Sequence, residues 1–249
     1  MHNFFVDNTN LQGDCYYIEG SDHNHIKNVL RMREGDTFFV SSNGKSDLCE
    51  IQSIDENVTV AKIIEENSLN TNLPIKIYLF QGLPKADKME LIIQKAVELG
   101  VEGIIPVEME RSVVKLDDKK KKSKQTRWQA IAESAAKQSK RNSVPQVFEV
   151  MSYKQAIQKA KELDVFMLPY ENKDGMLATR EALSKIKNGM EIGILIGPEG
   201  GFEEKEVLAA QEVGALTVSL GKRILRTETA AITAVGMCML YSEMSDENL

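Results

Sequence analysis

The chain has 249 residues, of which 42% are hydrophobic, so it can form one large domain or two smaller ones with a buried core. Its three cysteines, Cys15, Cys49 and Cys238, form no C-x-x-C pair, which favours reduced thiols and argues against a disulfide framework. Cys49 and Cys238 lie in apolar runs and are predicted to pack in the core. The start of the chain has no basic segment followed by a long apolar stretch, and the apolar run 230–241 is too short to span a membrane. We therefore expect a cytoplasmic protein.

The net charge of −6 hides a strongly basic segment. Residues 115–141 contain ten Lys or Arg against three Asp or Glu, a local charge of +7, so the remainder carries −6 − 7 = −13. A nucleic-acid partner requires such a localised patch, because phosphate neutralisation supplies much of the affinity. The lysine run 119–122 is either a solvated loop or an RNA contact. Four other basic residues are spaced along a predicted helix and are stronger candidates for RNA contact: Arg127, Lys137, Lys140 and Arg141.

The pattern of predicted secondary structure changes near residue 72. Residues 1–72 contain short β-branched and aromatic segments, with one helix predicted around 25–32, and this pattern indicates a small β-rich barrel. The polar stretch 67–74 ends in proline, as linkers often do.

After Pro74 the pattern alternates between strands and helices, which predicts a mostly parallel sheet covered on both faces. The first helix has apolar residues at i, i+3, i+4, i+7 and i+8, the spacing of one buried face. The predicted strands are 75–81, 101–107, 144–150, 165–168, 192–196 and 216–220. The predicted helices are 89–97, 124–140, 153–162, 175–186, 203–213 and one that starts at about 227.

Several common sites are excluded by spacing. The segment Gly197-Pro198-Glu199-Gly200-Gly201 does not supply the G-x-G-x-x-G of a dinucleotide site. Residues 43–46 fail as a phosphate-binding loop, because Phe39 stands where the first glycine is required. His23 and His25 have no nearby third ligand, so we expect no metal site and interpret them as surface or capping residues.

Two glycine turns follow successive strands near the end of the chain. One is the segment 197–201, and the other begins at Gly221. Glycine exposes main-chain N–H and C=O groups, and ligands collect at the carboxyl ends of strands in an open α/β sheet. The sequence therefore predicts a cofactor site built from these turns and from the strand end at residues 168–171.

The motifs ILIGPEGGF at 194–202 and LGKRILRTETAAITAV at 220–235 resemble those of the SPOUT methyltransferases, which bind S-adenosylmethionine in a deep trefoil knot. HNFFV at 2–6, HIKNVLRMREGD at 25–36, KAVELGV at 95–101 and ERSVVK at 110–115 are similar to the ribosomal RNA small-subunit methyltransferase E family. That resemblance covers residues 2 to about 240. It implies methylation of N3 of a uridine in small-subunit (16S) ribosomal RNA, in a homodimer. It also implies a PUA-like RNA-binding domain at 1–72 and an α/β SPOUT domain with a C-terminal knot at 73–249.

The resemblance assigns the cofactor to three strand ends. Apolar side chains there can enclose adenine while loop amides contact its edge, although each leucine can equally be a core residue. The predicted cofactor-binding residues are Leu168, Pro169, Ile196, Gly197, Gly200, Gly201, Leu220, Gly221, Ile224, Leu225, Thr229 and Ala230. The predicted RNA-binding residues are Arg31, Arg33, Arg127, Lys137, Lys140 and Arg141.

Uridine N3 carries a proton at neutral pH, so the reaction requires proton removal or stabilisation of the imide anion. Arg111 and Arg226 are the predicted cations, with Arg141 behind them, and a structural salt bridge is the rival interpretation for each. Glu199 and Glu228 are the candidate carboxylates, and either can instead position amides. Thr227 is a predicted N-cap of the last helix.

Two other functions remain compatible with the sequence. One is a related methyltransferase acting on a ribose 2′-OH or a transfer-RNA base, and the other is a ribosome-assembly factor that binds RNA without turnover. Intact glycine loops argue against the second, and the matches at 25–36 and 110–115 favour the uridine enzyme.

Overall fold

The computed structural model describes residues 1–170 and 175–245, which form two compact units. The first unit contains Met1–Asn72 together with Ala136–Val144, and the second contains Leu73–Ala135 and Pro145–Leu249. The predicted boundary at residue 72 did not include the return of segment 136–144 to the first unit.

The first unit is built on six strands and a short helical segment. The strands are β1 (Asn3–Phe5), β2 (Leu11–Gln12), β3 (Cys15–Glu19), β4 (Thr37–Ser42), β5 (Lys45–Ile54) and β6 (Val58–Glu65). A 3₁₀ turn spans Asn8–Asn10, and α1 (Gly20–Asn24) continues into a π-helical turn at His25–Val29. The helix thus starts earlier and ends earlier than the predicted 25–32.

These six strands form one sheet in the order β1-β4-β5-β6-β3-β2. Every pair is antiparallel except β1 with β4. Two register shifts between β5 and β6 interrupt the ladder, and such bulges bend strands. Strands β1 and β2 are the two edges and do not pair with each other, so the sheet is a half-barrel, whereas the sequence predicted a small β-barrel.

One apolar cluster fills the first unit. Phe4, Phe38 and Ile26 belong to it, and the rings of Phe4 and Phe38 pack edge to face. His23 is also buried, with its ring nitrogens 2.9 Å from Thr59 Oγ1 and 3.2 Å from the Glu56 carbonyl oxygen. The prediction of a surface or capping histidine was therefore wrong for His23, because Thr59 on β6 and the Glu56 carbonyl before that strand supply its buried ring with polar partners.

Main-chain groups of Arg141 and the side chain of Asn142 attach segment 136–144 to the first unit. Asn3 Nδ2 donates to the Arg141 carbonyl oxygen at 3.1 Å. Asn142 Oδ1 accepts from the Thr71 N–H, and Asn142 Nδ2 donates to the Leu69 carbonyl, each at 2.6 Å. Asparagine supplies both a donor and an acceptor, so one side chain pairs two main-chain groups of the segment before residue 72.

The second unit contains seven strands and six helices. The strands are β7 (Lys76–Gly82), β8 (Gly103–Glu108), β9 (Gln146–Val147), β10 (Met151–Ser152), β11 (Val165–Pro169), β12 (Glu191–Ile196) and β13 (Leu216–Val218). The helices are α2 (Lys88–Glu98), α3 (Asp118–Gln138), α4 (Tyr153–Ala160), α5 (Met176–Leu183), α6 (Glu204–Glu212) and α7 (Thr227–Met244). The last turn of α3 belongs to the first unit.

The sheet of the second unit runs β10-β8-β7-β12-β11-β13, with β9 also paired to β8, and every pair is parallel. The predicted parallel α/β sheet is confirmed. The predicted apolar face of α2 is also confirmed, since all five of its residues are buried. Because β12 lies between β7 and β11, the carboxyl ends of β7, β12, β11 and β13 share one edge of the sheet.

Two elements differ from the prediction for local reasons. Helix α3 begins at Asp118 and includes the lysine run, because Asp117 Oδ1 accepts from the Lys120 N–H at 2.8 Å and caps the helix. Strand β9 has only two residues. The Val147 N–H donates to the Gln129 side chain at 2.8 Å, so a side chain takes the place of a strand partner.

Two of the three cysteines lie in the protein core. Cys49 and Cys238 are fully buried, and burial raises the pKa of each thiol to about 12, so the prediction of core packing is confirmed. Within residues 1–170 and 175–245, no helix has the length and apolar character needed to cross a membrane.

Candidate active site

Two loops follow parallel strands that end at the same edge of the sheet. The β12 loop (residues 197–203) follows β12, and the β13 loop (residues 219–226) leads from β13 into α7. In the register of the sheet, Ile196 pairs with Gln81 and Val218 pairs with Pro169, so these strands end side by side. The sequence-predicted cofactor segments are therefore neighbours in the fold.

The side chains of Leu168 and Ile196 face the core. Leu168 is fully buried within the apolar cluster of the second unit, and Ile196 is buried as well. Their burial favours the alternative interpretation as core residues over that of adenine walls. By contrast, Ile224 in the β13 loop is fully exposed, and Leu220 and Leu225 are partly exposed. The apolar surface that a ligand can reach thus lies on the β13 loop.

A buried chain of polar groups joins the two loops. Gln81 Nε2 donates to Thr227 Oγ1 at 3.0 Å, and Thr227 Oγ1 donates to the Gly197 carbonyl at 2.7 Å. Both side chains are buried, where hydrogen bonds are costly to leave unmade. Gln81 is a polar residue at the end of an apolar strand, and that contrast was the signal that sequence reasoning missed.

Thr227 is not the N-cap of α7. Arg226 occupies that position with extended backbone, and no side chain caps the helix. The Thr227 hydroxyl is instead committed to the Gly197 carbonyl. The Ala230 N–H makes a helical bond to the Arg226 carbonyl at 2.8 Å, so the earlier N–H groups of the first turn lack intrahelical acceptors. Such a helix start attracts anions.

The glycines of the β12 loop have different structural causes. A Cβ at Gly200 would lie 2.8 Å from Arg111 Cβ, so packing within the protein already requires glycine there. A Cβ at Gly201 would meet no atom within 4 Å, although its φ of +69° disfavours other residues. Gly221 in the β13 loop also has a positive φ, +104°. Gly201 therefore borders open space, whereas a Cβ at Gly221 would lie 3.8 Å from Arg223 Nη2.

Arg111 is held by the β12 loop. Its Nε donates to Glu203 Oε1 at 2.7 Å, and its Nη1 donates to the Gly200 carbonyl at 3.2 Å. The Arg111 guanidinium lowers the pKa of the Glu203 carboxyl. This geometry is the structural salt bridge that was the rival to a catalytic role for Arg111.

Glu206 braces the same corner from α6. It is a buried carboxylate whose oxygens accept from the N–H groups of Glu110 (3.0 Å) and Glu203 (2.9 Å). These main-chain N–H donors offset the energetic cost of burying the Glu206 carboxylate. The same hydrogen bonds fix the backbone beside Arg111 and at Glu203. Glu206 was not a predicted site residue, since nothing in its local sequence marks it as buried.

Glu199 and Glu228 converge on one lysine that sequence reasoning missed. Lys88 Nζ lies 3.0 Å from Glu199 Oε1 and 3.4 Å from Glu228 Oε2. The Lys85 N–H also donates to Glu199, at 3.0 and 3.3 Å to its two oxygens. Partial burial acts to raise the pKa of Glu199, but the hydrogen bonds from Lys88 and the main chain outweigh it and lower that pKa. The cluster joins the start of α2, the β12 loop and the first turn of α7.

Arg226 differs from Arg111 in having a free guanidinium. Its side chain is exposed, and it makes no ion pair with any residue that the structure describes. Thr229 is exposed on the first turn of α7, and Ala230 is partly exposed. Pro169 is partly exposed at the end of β11, and Glu171 of the predicted 168–171 loop lies outside the described residues.

The predicted RNA-binding residues fall into exposed, paired and buried groups. Arg31, Arg33 and Lys140 are exposed in the first unit. Arg127 pairs with Glu90 at 2.9 Å, and Lys137 pairs with Asp22 at 3.2 Å. Arg141 is buried, which argues against contact with a phosphate and against a catalytic role, because its backbone anchors segment 136–144 in the first unit.

No three His, Cys, Asp or Glu side chains gather as metal ligands in the part of the chain that the structure describes. The charged groups at the strand ends are instead arranged as the Lys88 cluster and the Arg111–Glu203 pair.

The chain is similar to known RNA-modifying proteins along nearly its whole length. An RNA methyltransferase domain model matches residues 71–239, and an RNA methyltransferase PUA domain model matches residues 18–64. The chain is 42% identical to the ribosomal RNA small subunit methyltransferase E of Bacillus subtilis (strain 168), over 98% of each chain. It is 33% identical to the protein of that name from Mesomycoplasma hyopneumoniae, over 96% of this chain and 99% of that one.

Solved structures give the same result. The ribosomal RNA small subunit methyltransferase E of Neisseria gonorrhoeae, solved with bound S-adenosyl methionine, is 33% identical over 98% of this chain and 100% of that one, with a TM-score of 0.81. A methyltransferase from Legionella pneumophila, solved with the same cofactor, is 30% identical over 96% of each chain, with a TM-score of 0.78. With this sequence identity, domain content and fold, the chain belongs to the ribosomal RNA small subunit methyltransferase E family.

Proposed function

We propose that this protein transfers a methyl group from S-adenosylmethionine to N3 of a specific uridine in small-subunit (16S) ribosomal RNA. The observation that carries the proposal is that the β12 and β13 loops lie at the same edge of the parallel sheet, where the Thr227 hydroxyl, directly after the β13 loop, donates to the Gly197 carbonyl of the β12 loop, in a chain of this family. Relatives solved with S-adenosylmethionine support the choice of cofactor.

The residues at these loops fit that cofactor. Gly201 borders open space, and Gly201 and Gly221 both lack a side chain that would cover their main-chain groups, as a ligand held by backbone contacts requires. Exposed Ile224 offers apolar surface, and the amides at the start of α7 suit a carboxylate. When bound, the cofactor supplies an electrophilic methyl group on a sulfonium. Gly197, Leu220, Leu225, Thr229 and Ala230 complete the proposed binding surface.

The chain itself must deal with the N3 proton and the charge left on uracil. Arg226 is exposed and free of ion pairs with described residues, so its guanidinium is available to a uracil carbonyl or a flanking phosphate. Arg111 is tied to Glu203 and Gly200, and we assign it to support of the β12 loop. Glu199 and Glu228 are the carboxylates at the site.

The first unit is proposed to be a PUA-like RNA-binding domain, supported by the domain model at 18–64. Arg31, Arg33 and Lys140 are exposed cations within it. Replacing all three with glutamine is expected to lower the log–log salt slope of RNA binding by about 0.9 per lost phosphate contact. Replacement of exposed Lys161 and Lys187 in the second unit is the matched control, and an unchanged slope in the triple variant would remove these residues from the RNA surface.

We also propose that the C-terminal region of the second unit forms the deep trefoil knot of SPOUT enzymes. The order β7-β12-β11-β13, in which a late strand lies between two earlier ones, supports it. A cytoplasmic location is proposed because the three cysteines are free, as expected in a reducing compartment.

A homodimer is proposed from the apolar surface of the last helix. Leu240 and Met244 on α7 are exposed, and so is Leu91 on the adjoining α2. Pairing of two copies about a twofold axis would cover this surface. Light scattering at micromolar concentration is expected to give the mass of a dimer, and Leu240→Arg is expected to weaken it. A fully active monomer would contradict the proposal.

The function is tested with purified protein, S-adenosylmethionine and small-subunit ribosomal RNA, either free or in assembled subunits. Nucleoside analysis by mass spectrometry is expected to give 3-methyluridine. A 2′-O-methyl nucleoside would instead support the ribose enzyme, and absence of any methylated product with either substrate would support an assembly factor.

A further inference from the structure

The ion cluster at Lys88 distinguishes the two candidate carboxylates. Glu199 is fully engaged, since the Lys85 N–H and Lys88 Nζ donate to it at 3.0 Å each. Glu228 is held more loosely. Its Oε2 is buried, lies 3.4 Å from Lys88 Nζ, and has no hydrogen-bond partner among the described residues.

This difference has a chemical consequence. A carboxylate that already accepts several hydrogen bonds is a weak proton acceptor, because protonation would break them. A buried carboxylate that accepts few hydrogen bonds loses fewer of them when it is protonated. The side chain of Glu228 is 14% exposed, so solvent reaches it only in part. Glu228 is therefore the better acceptor of the two.

Lys88 also fixes the positions of three segments. It is the first residue of α2, whereas Glu199 belongs to the β12 loop and Glu228 to the first turn of α7. The charged groups facing one another here are these three side chains, and the Lys85 main chain adds its N–H. Without the ammonium, two carboxylates would face each other with no cation between them.

We propose that Lys88 is a positioning residue that anchors to Glu199 and holds the Glu228 carboxylate in place to accept the uridine N3 proton. This inference rests on the proposed function. In the step, the N3–H bond breaks, the proton joins a carboxylate oxygen of Glu228, and the electron pair stays on the uracil imide. Glu199 serves as the anchor and takes no proton.

The test compares Lys88→Met, Lys88→Arg, Glu228→Gln and Glu199→Gln in single-turnover methyl transfer across pH. Glu228→Gln is expected to lower the rate on the order of 10²-fold, as loss of a general base does. Lys88→Met is expected to lower the rate at every pH, by less than Glu228→Gln does, because the Glu228 carboxylate loses the ammonium that holds it in place. Lys88→Arg is expected to restore most of the rate, and Glu199→Gln to lower it no more than Lys88→Met does, because Glu199 takes no proton.

Lys76→Met is the matched control. Lys76 forms a 3.0 Å ion pair with Glu191 in the same unit, at the start of β7 and away from the strand ends that carry the site. The control is expected to leave the rate unchanged at every pH. A wild-type rate in Lys88→Met, or a loss in Glu199→Gln as large as that in Glu228→Gln, would overturn the proposal.

A second readout does not depend on turnover. Carbon-13 NMR of glutamate carboxyls in the free protein, with the Glu199 signal assigned by Glu199→Gln, reports the anchor directly. Lys88→Met is expected to raise the pKa of Glu199, and Lys88→Arg to restore it. Absence of 3-methyluridine from the wild-type reaction would defeat the proposed function and with it the role of Glu228. An unchanged Glu199 titration would defeat the anchoring by Lys88 whatever the product is.

Discussion

The β12 loop and the β13 loop both follow parallel strands and both contain glycine, yet the protein holds them in opposite ways. In the β12 loop, Pro198 packs against Gly82, Glu199 binds Lys85 and Lys88, and the Gly200 carbonyl binds Arg111. In the β13 loop, residues 222–224 and 226 are exposed, and the described residues form no ion pair with any of them.

This contrast separates a preorganised element from an available one. Contacts made before any ligand arrives fix the β12 loop, so the cost of ordering it is already met in folding. The charges of the β13 loop are uncommitted, so they are free to meet an anion or an RNA phosphate. Substitutions in the two loops are therefore expected to differ in kind as well as in size.

The largest effect is expected at Arg226 in the β13 loop. Arg226→Ala is expected to lower the single-turnover plateau rate on the order of 10²-fold, because the uncommitted cation proposed to meet the developing imide charge is lost. Arg226→Lys is expected to recover only part, since a point charge cannot fork onto two acceptors. Arg223→Ala removes an exposed cation from the same loop and serves as the control. Equal losses in the Arg226 and Arg223 variants would mean that general charge matters and not Arg226 itself.

A smaller effect is expected at Gly201, where the β12 loop borders open space. Gly201→Val is expected to weaken S-adenosylhomocysteine binding at least about tenfold, or about 1.4 kcal/mol, by filling that space. Gly189→Val is the matched control, because Gly189 also has a positive φ and no atom within 4 Å of an added Cβ. Both variants carry similar backbone strain, so calorimetric titration isolates the ligand effect. Undiminished affinity in a folded Gly201 variant would remove this position from the site.

Gly200 tests the preorganised side of the comparison. Gly200→Ala places a Cβ 2.8 Å from Arg111 Cβ, and such overpacking is expected to cost about 1 to 3 kcal/mol of unfolding free energy. The midpoint temperature of thermal unfolding is expected to fall by roughly 2 to 4 °C for each kcal/mol of unfolding free energy that is lost. Combining Gly200→Ala with Arg111→Gly is expected to relieve the clash. If Gly200→Ala unfolds like the wild type, the β12 loop is not held by this contact.

The smallest effect concerns the pH dependence of the Arg111–Glu203 pair. Arg111 lowers the pKa of Glu203 in the folded protein. The ion pair therefore stabilises the fold fully at pH values above the pKa that Glu203 has in the unfolded chain. This stabilisation is lost as the pH falls through the lower pKa of Glu203 in the folded protein. Both side chains are substantially exposed, so the effect is expected to be small and to shrink in high salt. The check is the free energy of unfolding of the wild type and of Glu203→Gln, measured by denaturation at pH values from 7 to 3. A large difference that salt does not reduce would contradict this description of the pair.

The sequence predicted the fold well where periodicity carries the information. The apolar face of α2 and the alternation of strands and helices after residue 74 follow from side-chain spacing, and both are confirmed. The return of segment 136–144 to the first unit was not predictable in this way. It depends on Asn142 and on the Arg141 carbonyl, whose partners lie about 70 or more residues away.

The site was predictable only as far as its loops. Glycine composition located residues 197–201 and 221, but side-chain partnerships decide what each charged residue does. Arg111 and Arg226 looked equivalent in sequence, whereas Arg111 is committed to Glu203 and Arg226 forms no ion pair with a described residue. Lys88 and Gln81 were missed because Glu199 and Thr227, which bind them at the site, lie more than 100 residues away in the sequence.

The central claim is that this protein methylates N3 of a uridine by means of the β13 loop. The most direct test maps methylated uridines by mass spectrometry in small-subunit ribosomal RNA from cells with and without the protein, and from deleted cells that express wild type or Arg226→Ala. We predict one 3-methyluridine that disappears on deletion, returns with wild type and returns poorly with the arginine variant. An unchanged 3-methyluridine pattern in deleted cells, or loss of a 2′-O-methyl group instead, would contradict the account.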